Sequence, residues 1–333
     1  MKTTTDILSL PRRPRRLRRF AALRDLVAES EIRLSHLVQG HFVLPGVGRV
    51  EDISSLPGIR RLSVDELVKT VAKDLENGVK SVMLFGVPSQ KDADATLATD
   101  PHGEVPLAVA ALKKEFGDDL VVMADVCLCP YTDHGHCGFV EGKEIVNDAS
   151  VDTLADMALI LAQAGADFVC PSDMMDGRIG QIRNRLDESG FTQTGILAYS
   201  AKYASSFYGP FREAAGSAPS FGDRSSYQMD WRNRREALRE VQLDLEEGAD
   251  LVMVKPALSY LDVISDVAEI SDVPVVAYNV SGEFAMVKLA AREGLADEEA
   301  MTKEILGSIR RAGADLIVTY HASQAAQEGW LKP

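Results

Sequence analysis

The chain has 333 residues, 46% of them hydrophobic, and a formal net charge of −14. Such a length allows one large domain with an extension, with ample apolar content for its core. The acidic balance argues against nucleic acid as a partner of the body, and the lack of an apolar run of about 18 residues argues against a membrane span.

Residues 1–35 read as a separate N-terminal arm. Pro11-Arg12-Arg13-Pro14-Arg15-Arg16-Leu17-Arg18-Arg19 is a dense basic run in an acidic protein. Its prolines keep the chain extended at first, and Phe20–Val27 can then turn helical. No apolar stretch follows the arginines, which speaks against a secretory signal; a cytoplasmic protein with reduced thiols is expected. A solvated tail and a targeting arm are alternatives, but an arm lying on the acidic surface of a neighbouring subunit is the preferred reading.

From residue 36 to 333 short β-branched runs alternate with helical stretches. Strands are predicted at His36–Val43, Lys80–Gly86, Leu120–Val126, Asp167–Pro171, Gly195–Tyr199, Asp250–Lys255, Pro274–Asn279 and Asp315–Tyr320. Amphipathic helices are predicted over Val64–Asn77, Val151–Ala164, Arg232–Glu247 and Asp297–Ala312. A partial repeat joins them: Ala164-Gly165-Ala166-Asp167, Glu247-Gly248-Ala249-Asp250 and Ala312-Gly313-Ala314-Asp315, with Asn77-Gly78-Val79-Lys80 a looser copy. Each reads as a helix closed by a glycine and followed by a buried strand. Eight strands alternating with helices predict an α/β fold, a closed (β/α)8 TIM barrel with an extended N-terminal arm. An open doubly wound sheet is the alternative, although no G-x-G-x-x-G follows the first strand.

In such a barrel chemistry gathers at the C-terminal ends of the strands. Cys127 and Cys129 are read as ending the third strand, with Cys137 swung back to them from the loop that follows; the three are spaced C-x-C-x7-C, three of the chain's four cysteines. Converging thiolates suit zinc, and three protein ligands leave one position open. His134 or His136 could instead close a structural site, and core packing of the cysteines is the plainer alternative. Lys255 ends an almost wholly apolar strand, where desolvation lowers an amine's pKa. Lys202, from the neighbouring strand end, is a cation that would lower it further, the arrangement for Schiff-base chemistry. Ser172 and Asp173 follow the fourth strand, Ser281 the seventh, and Tyr320 ends the eighth. The long connection between Lys202 and Lys255 contains Tyr208, Arg212, Arg224 and Gln228, and reads as a lid whose arginines clamp a carboxylate.

These segments together resemble the porphobilinogen synthase (5-aminolevulinate dehydratase) family. The likeness is carried by Asp125–Cys129 through His134–Gly138, by Pro171–Arg178, by Tyr199–Arg212, by Val254-Lys255-Pro256 with Tyr260-Leu261-Asp262, and by Tyr278–Phe284. It implies condensation of two 5-aminolevulinates to a pyrrole with loss of two waters. By similarity Lys255 and Lys202 form the two Schiff bases. Ser281 and Tyr320 hold one substrate carboxylate, and Arg212, Arg224 and Gln228 the other, with Ser172 and Tyr208 also at the substrate. Cys127, Cys129 and Cys137 bind zinc, and Asp125 moves protons or orients the site. The likeness also implies an octamer built through the arm, and an allosteric magnesium held through water by Glu236, for which an ordinary surface glutamate is the alternative. The chain departs from the family at Gly40, which lacks a usual nearby proline, at His321-Ala322 and at Cys170, read as core packing. The rivals are a class I aldolase-type barrel, which needs one lysine and no cysteine trio, and a non-catalytic zinc scaffold, which has no use for a lysine at an apolar strand end.

Overall fold

The computed structural model describes residues 10–333, so the first nine residues of the arm lie outside it. The chain divides into two compact units, one ending at Glu31 and the other spanning Ile32–Pro333. In the first, Pro14–Arg18 forms a 3-10 turn and Ala21–Leu26 a short helix. The basic run is therefore not extended throughout: Pro14 opens the turn, because its fixed φ suits a helix's first position. Leu17, Phe20 and Leu26 are exposed.

In the second unit eight parallel strands run Leu37–Val43, Ser81–Gly86, Val121–Val126, Phe168–Pro171, Gly195–Lys202, Leu251–Lys255, Val275–Tyr278 and Leu316–Thr319. The eighth pairs with the first, Leu37 opposite Ile317 and Gln39 opposite Thr319, so the sheet is a closed barrel and not an open one. All eight lie where the periodicity predicts. Helices Val64–Glu76, Glu104–Phe116, Asn147–Gln163, Arg178–Glu188, Arg234–Glu246, Leu261–Ile270, Ser281–Arg292 and Glu298–Ala312 follow the first seven strands, two of them after the seventh. The helix predicted from Val151 starts earlier, at Asn147, because a hairpin (Phe139–Glu141 with Glu144–Val146) runs straight into it. There Ser150 Oγ accepts from Phe139 N at 2.8 Å.

The alternation of side chains sorts the core into two layers. Val38, Phe42, Met123, Leu197, Tyr199, Leu251 and Met253 fill the barrel, while Leu37, Val43, Val122, Ile196, Ala198, Val252 and Val254 pack outward among the helix faces. The repeat has two physical roles. Gly165, Gly248 and Gly313 take φ of 102°, 99° and 122°, the left-handed turn that ends each helix. The aspartate two residues on accepts a backbone N–H from the preceding strand: Val122 N to Asp167 at 2.7 Å, Ile196 N to Asp250 at 2.7 Å and Val275 N to Asp315 at 3.0 Å.

Behind the fifth strand Arg178 is buried. It meets Asp244 with two hydrogen bonds, 3.0 and 3.2 Å, and donates to Tyr199 O at 3.3 Å. Its Nε lies 3.9 Å from Asp173, whose carboxyl burial raises to about 6 against the pull of Arg178. Arg178→Met would leave two buried carboxyls uncompensated, an expected loss of about 3–5 kcal/mol of stability, read as a lower urea midpoint.

Candidate active site

The strand ends bring the two lysines together by way of an irregularity. Along the sixth strand Leu251 and Met253 point into the barrel, so Lys255 does too. Along the fifth, Leu197 and Tyr199 point inward, and simple alternation would turn Lys202 out. The register shifts there: Val252 faces Ala198, Val254 faces Ala201 and Lys255 faces Lys202. One extra residue on the fifth strand is a β-bulge, and it reverses the alternation beyond Tyr199. Lys202 thereby turns inward and pairs in register with Lys255. It is the last residue of that strand, which runs three residues past the predicted end at Tyr199.

The two amines share one ring. Tyr199 lies 5.5 Å from Lys202 Nζ and 4.9 Å from Lys255 Nζ. Tyr278, Tyr208 and Phe211 complete a cage round Lys255 Nζ at 4.2, 5.2 and 5.3 Å. Ring faces attract a cation, but burial outweighs them; with the nearby charge of Lys202 it brings Lys255 down to about 7. Lys202 Nζ donates to the carbonyl of Ser172. Asp125, inward on the third strand, is raised to about 6 by burial, held back by Lys202, Lys255 and the Ser172 hydroxyl.

The third strand ends at Val126, and the cysteines lie in the loop just beyond it rather than on the strand. All three are buried, with sulfurs within 4.8 Å of one another and Cys127 and Cys129 3.3 Å apart. None is in a disulfide. Burial pushes the Cys127 thiol up, whereas hydrogen bonds from Cys127 and Cys129 bring Cys137 down. Three converging buried sulfurs fit a soft divalent cation. Among the described residues no other three His, Cys, Asp or Glu side chains converge in this way.

The connection from Tyr203 to Asn233 covers the mouth. Tyr208 Oη donates to Lys255 O at 3.1 Å. Ser281, the first residue of its helix, accepts from Phe211 N at 3.0 Å and donates to Phe207 O at 3.3 Å, so its hydroxyl ties down this lid. Tyr320 Oη is 2.8 Å from Tyr278 Oη. Arg224 donates to Gly135 O and Ser217 O at 2.9 and 2.7 Å. The Nε atoms of Arg212 and Arg224, and both amide atoms of Gln228, are buried without a partner. Burial and the charge of Arg224 lower the pKa of Arg212, whereas the nearby cysteines raise that of Arg224.

Glu236 accepts from Asn233 Nδ2 at 2.8 Å and lines a cavity of ≈ 690 Å³ with Asp176, Asp230 and Glu240; Tyr227 and Gln228 line it too, whereas Lys202, Lys255, Asp125 and the cysteines do not. Sequence reasoning missed Tyr199, Tyr278 and Phe211 as parts of the site. Tyr199 could have been found from its inward parity, but Phe211 lies on the helix Gly209–Ala214, too short to give a periodic signal.

The family model for delta-aminolevulinic acid dehydratase matches residues 11–328. Relatives of that name from Synechococcus elongatus and Methanothermobacter thermautotrophicus are 51% and 52% identical, each over 96% of this chain and 98% of its own length. A crystal structure of delta-aminolevulinic acid dehydratase (porphobilinogen synthase) from Toxoplasma gondii, in complex with the product porphobilinogen, superposes with a TM-score of 0.94 at 48% identity, covering 97% of this chain and 92% of that one. With about half of the residues shared along nearly the whole length, and with the barrel superposing throughout, this chain belongs to the delta-aminolevulinic acid dehydratase family.

Proposed function

We propose that the chain condenses two 5-aminolevulinates to porphobilinogen with loss of two waters, as a lyase of tetrapyrrole synthesis. The observation that carries this reading is the in-register pair of inward lysines on adjoining strands. Lys255, with a pKa of about 7, is largely neutral at slightly alkaline pH. Its nitrogen attacks the ketone carbon of the first substrate; the two nitrogen protons and the carbonyl oxygen leave as water, and a C=N bond remains. Lys202 does the same for the second substrate. Asp125, poised at about 6 under the charges of Lys202 and Lys255, holds or moves the protons. Ser281 and Tyr320 hold the first carboxylate. Arg212, Arg224 and Gln228, with their unpartnered buried polar atoms, hold the second. Tyr208 closes over Lys255. Zinc on Cys127, Cys129 and Cys137 would supply a Lewis acid toward the second substrate's carbonyl or amine.

The arm, basic and with exposed Leu17, Phe20 and Leu26, is read as lying on a neighbouring copy in a homo-octamer. Magnesium at Glu236 rests on the family resemblance. Among the described residues no helix is long and apolar enough to cross a membrane, and four free buried cysteines suit a reducing cytoplasm.

Borohydride reduction in the presence of 5-aminolevulinate, followed by peptide mapping, tests the reading. A reduced adduct on Lys255 is expected. A protein that yields neither adduct nor pyrrole would remove the assignment.

A further inference from the structure

The loop that carries Cys137 also grips the lid. His134 O accepts from Ser220 N at 2.9 Å, and Gly135 O accepts from Arg224. At Gly135 φ is 71°, and a Cβ there would stand 2.3 Å from Ala218 O. Loop and lid therefore run backbone against backbone, and only glycine fits.

The next residue, His136, is buried and packs on Phe221 with ring centroids 4.5 Å apart. Its Nε2 is 3.1 Å from Phe221 O and its Nδ1 3.1 Å from Tyr227 Oη. A carbonyl can only accept, so the proton sits on Nε2, and Nδ1 accepts from the tyrosine. Tyr227 Oη accepts in turn from Cys137 N–H at 3.3 Å. Every donor in this chain has its acceptor, from the backbone of a cysteine in the metal cluster to the backbone of the lid. Tyr227 also belongs to the turn that bears the two carboxylate-binding groups: Tyr227 N and Gln228 N both donate to Arg224 O, at 3.2 and 2.8 Å.

We propose that His136 and Tyr227 are positioning residues, a latch that makes the cysteine cluster and the lid one cooperative unit. Zinc that fixes Cys137 fixes Tyr227, and with it Arg224 and Gln228. By thermodynamic reciprocity, a substrate that orders the lid tightens the metal. The inference rests on the reading of the cysteines as zinc ligands and of Arg224 and Gln228 as carboxylate holders.

Hydrogen exchange of the full chain, zinc-loaded and chelator-stripped, tests it. In the wild type, stripping zinc is expected to speed exchange of the amides of residues 217–228 by roughly tenfold. Tyr227→Phe keeps the ring and loses only the hydroxyl. With zinc present its lid amides should exchange about fivefold faster than wild type, and stripping should add little. Its KM for 5-aminolevulinate should rise about fivefold with kcat within about twofold, and its zinc affinity, by competition with a chromophoric chelator, should fall by a similar factor. His136→Gln should behave likewise. A merely structural tyrosine would leave the zinc affinity unmoved. If zinc-binding wild type protects its lid equally with and without metal, or Tyr227→Phe keeps wild-type lid exchange and zinc affinity, the latch is overturned alone. If the wild type binds no zinc, the reading of the cysteines falls with it.

Discussion

Lys255→Met is expected to lower kcat for pyrrole formation by about 10⁴-fold or more while making the protein more stable at neutral pH. The loss follows from chemistry: methionine has no nitrogen to form the C=N bond, and Lys202, whose amine shares only the Tyr199 ring of the cage formed with Tyr208, Phe211 and Tyr278, is held by the Ser172 carbonyl. The backbone there need not move, because Lys255 O accepts from Tyr203 N and Tyr208 Oη whatever the side chain. The gain follows from linkage. Lys255 is near 7 in the folded protein, against 10.5 as its unperturbed value, so between those pH values the unfolded chain binds the extra proton. Wild-type stability therefore rises with pH across that window, and the burial penalty is fully present below about 7. Lys255→Met should flatten that slope and raise the urea midpoint most at and below neutrality. The same pKa predicts a wild-type rate that climbs through an apparent pKa near 7 as the amine loses its proton. A variant that retains activity, or one that is destabilised at neutral pH, contradicts the assignment of this amine.

Cys129→Ala should remove zinc and reduce activity by more than about 100-fold, with no rescue by added zinc. Two sulfurs cannot replace three, and neither His134 nor His136 converges with them: both ring nitrogens of His136 face the lid, and His134 Nδ1 accepts from His136 N at 3.1 Å while its Nε2 is buried without a partner. This geometry speaks against a site closed by histidine, the alternative that the spacing alone left open. Wild type stripped by a chelator should lose activity and recover it with zinc. Zinc content by elemental analysis, measured beside the rate, checks both, and full activity in stripped protein would refute the metal's part.

Much of this was legible in the linear order of residues. Strand positions follow from runs of β-branched residues because a barrel strand buries both faces, and Gly165, Gly248 and Gly313 mark helix ends because they need positive φ. The cysteine trio was visible because the cluster is local: eleven consecutive residues contain all three sulfurs. These are short-range facts, set by backbone stereochemistry and by what each segment must hide from water.

What could not be read is of longer range. Alternation counted from Tyr199 turns Lys202 away from Lys255, and the bulge that corrects it exists only as a mismatch between two paired strands. The aspartates of the repeat show their acceptor role only when a neighbouring strand offers its N–H. The lid has no period, so Phe211 at the amine and Tyr227 at Cys137 became visible only once the barrel had closed beneath them. Local propensity writes the elements into the chain; register and closure, which depend on partners distant along it, choose which side chains face one another.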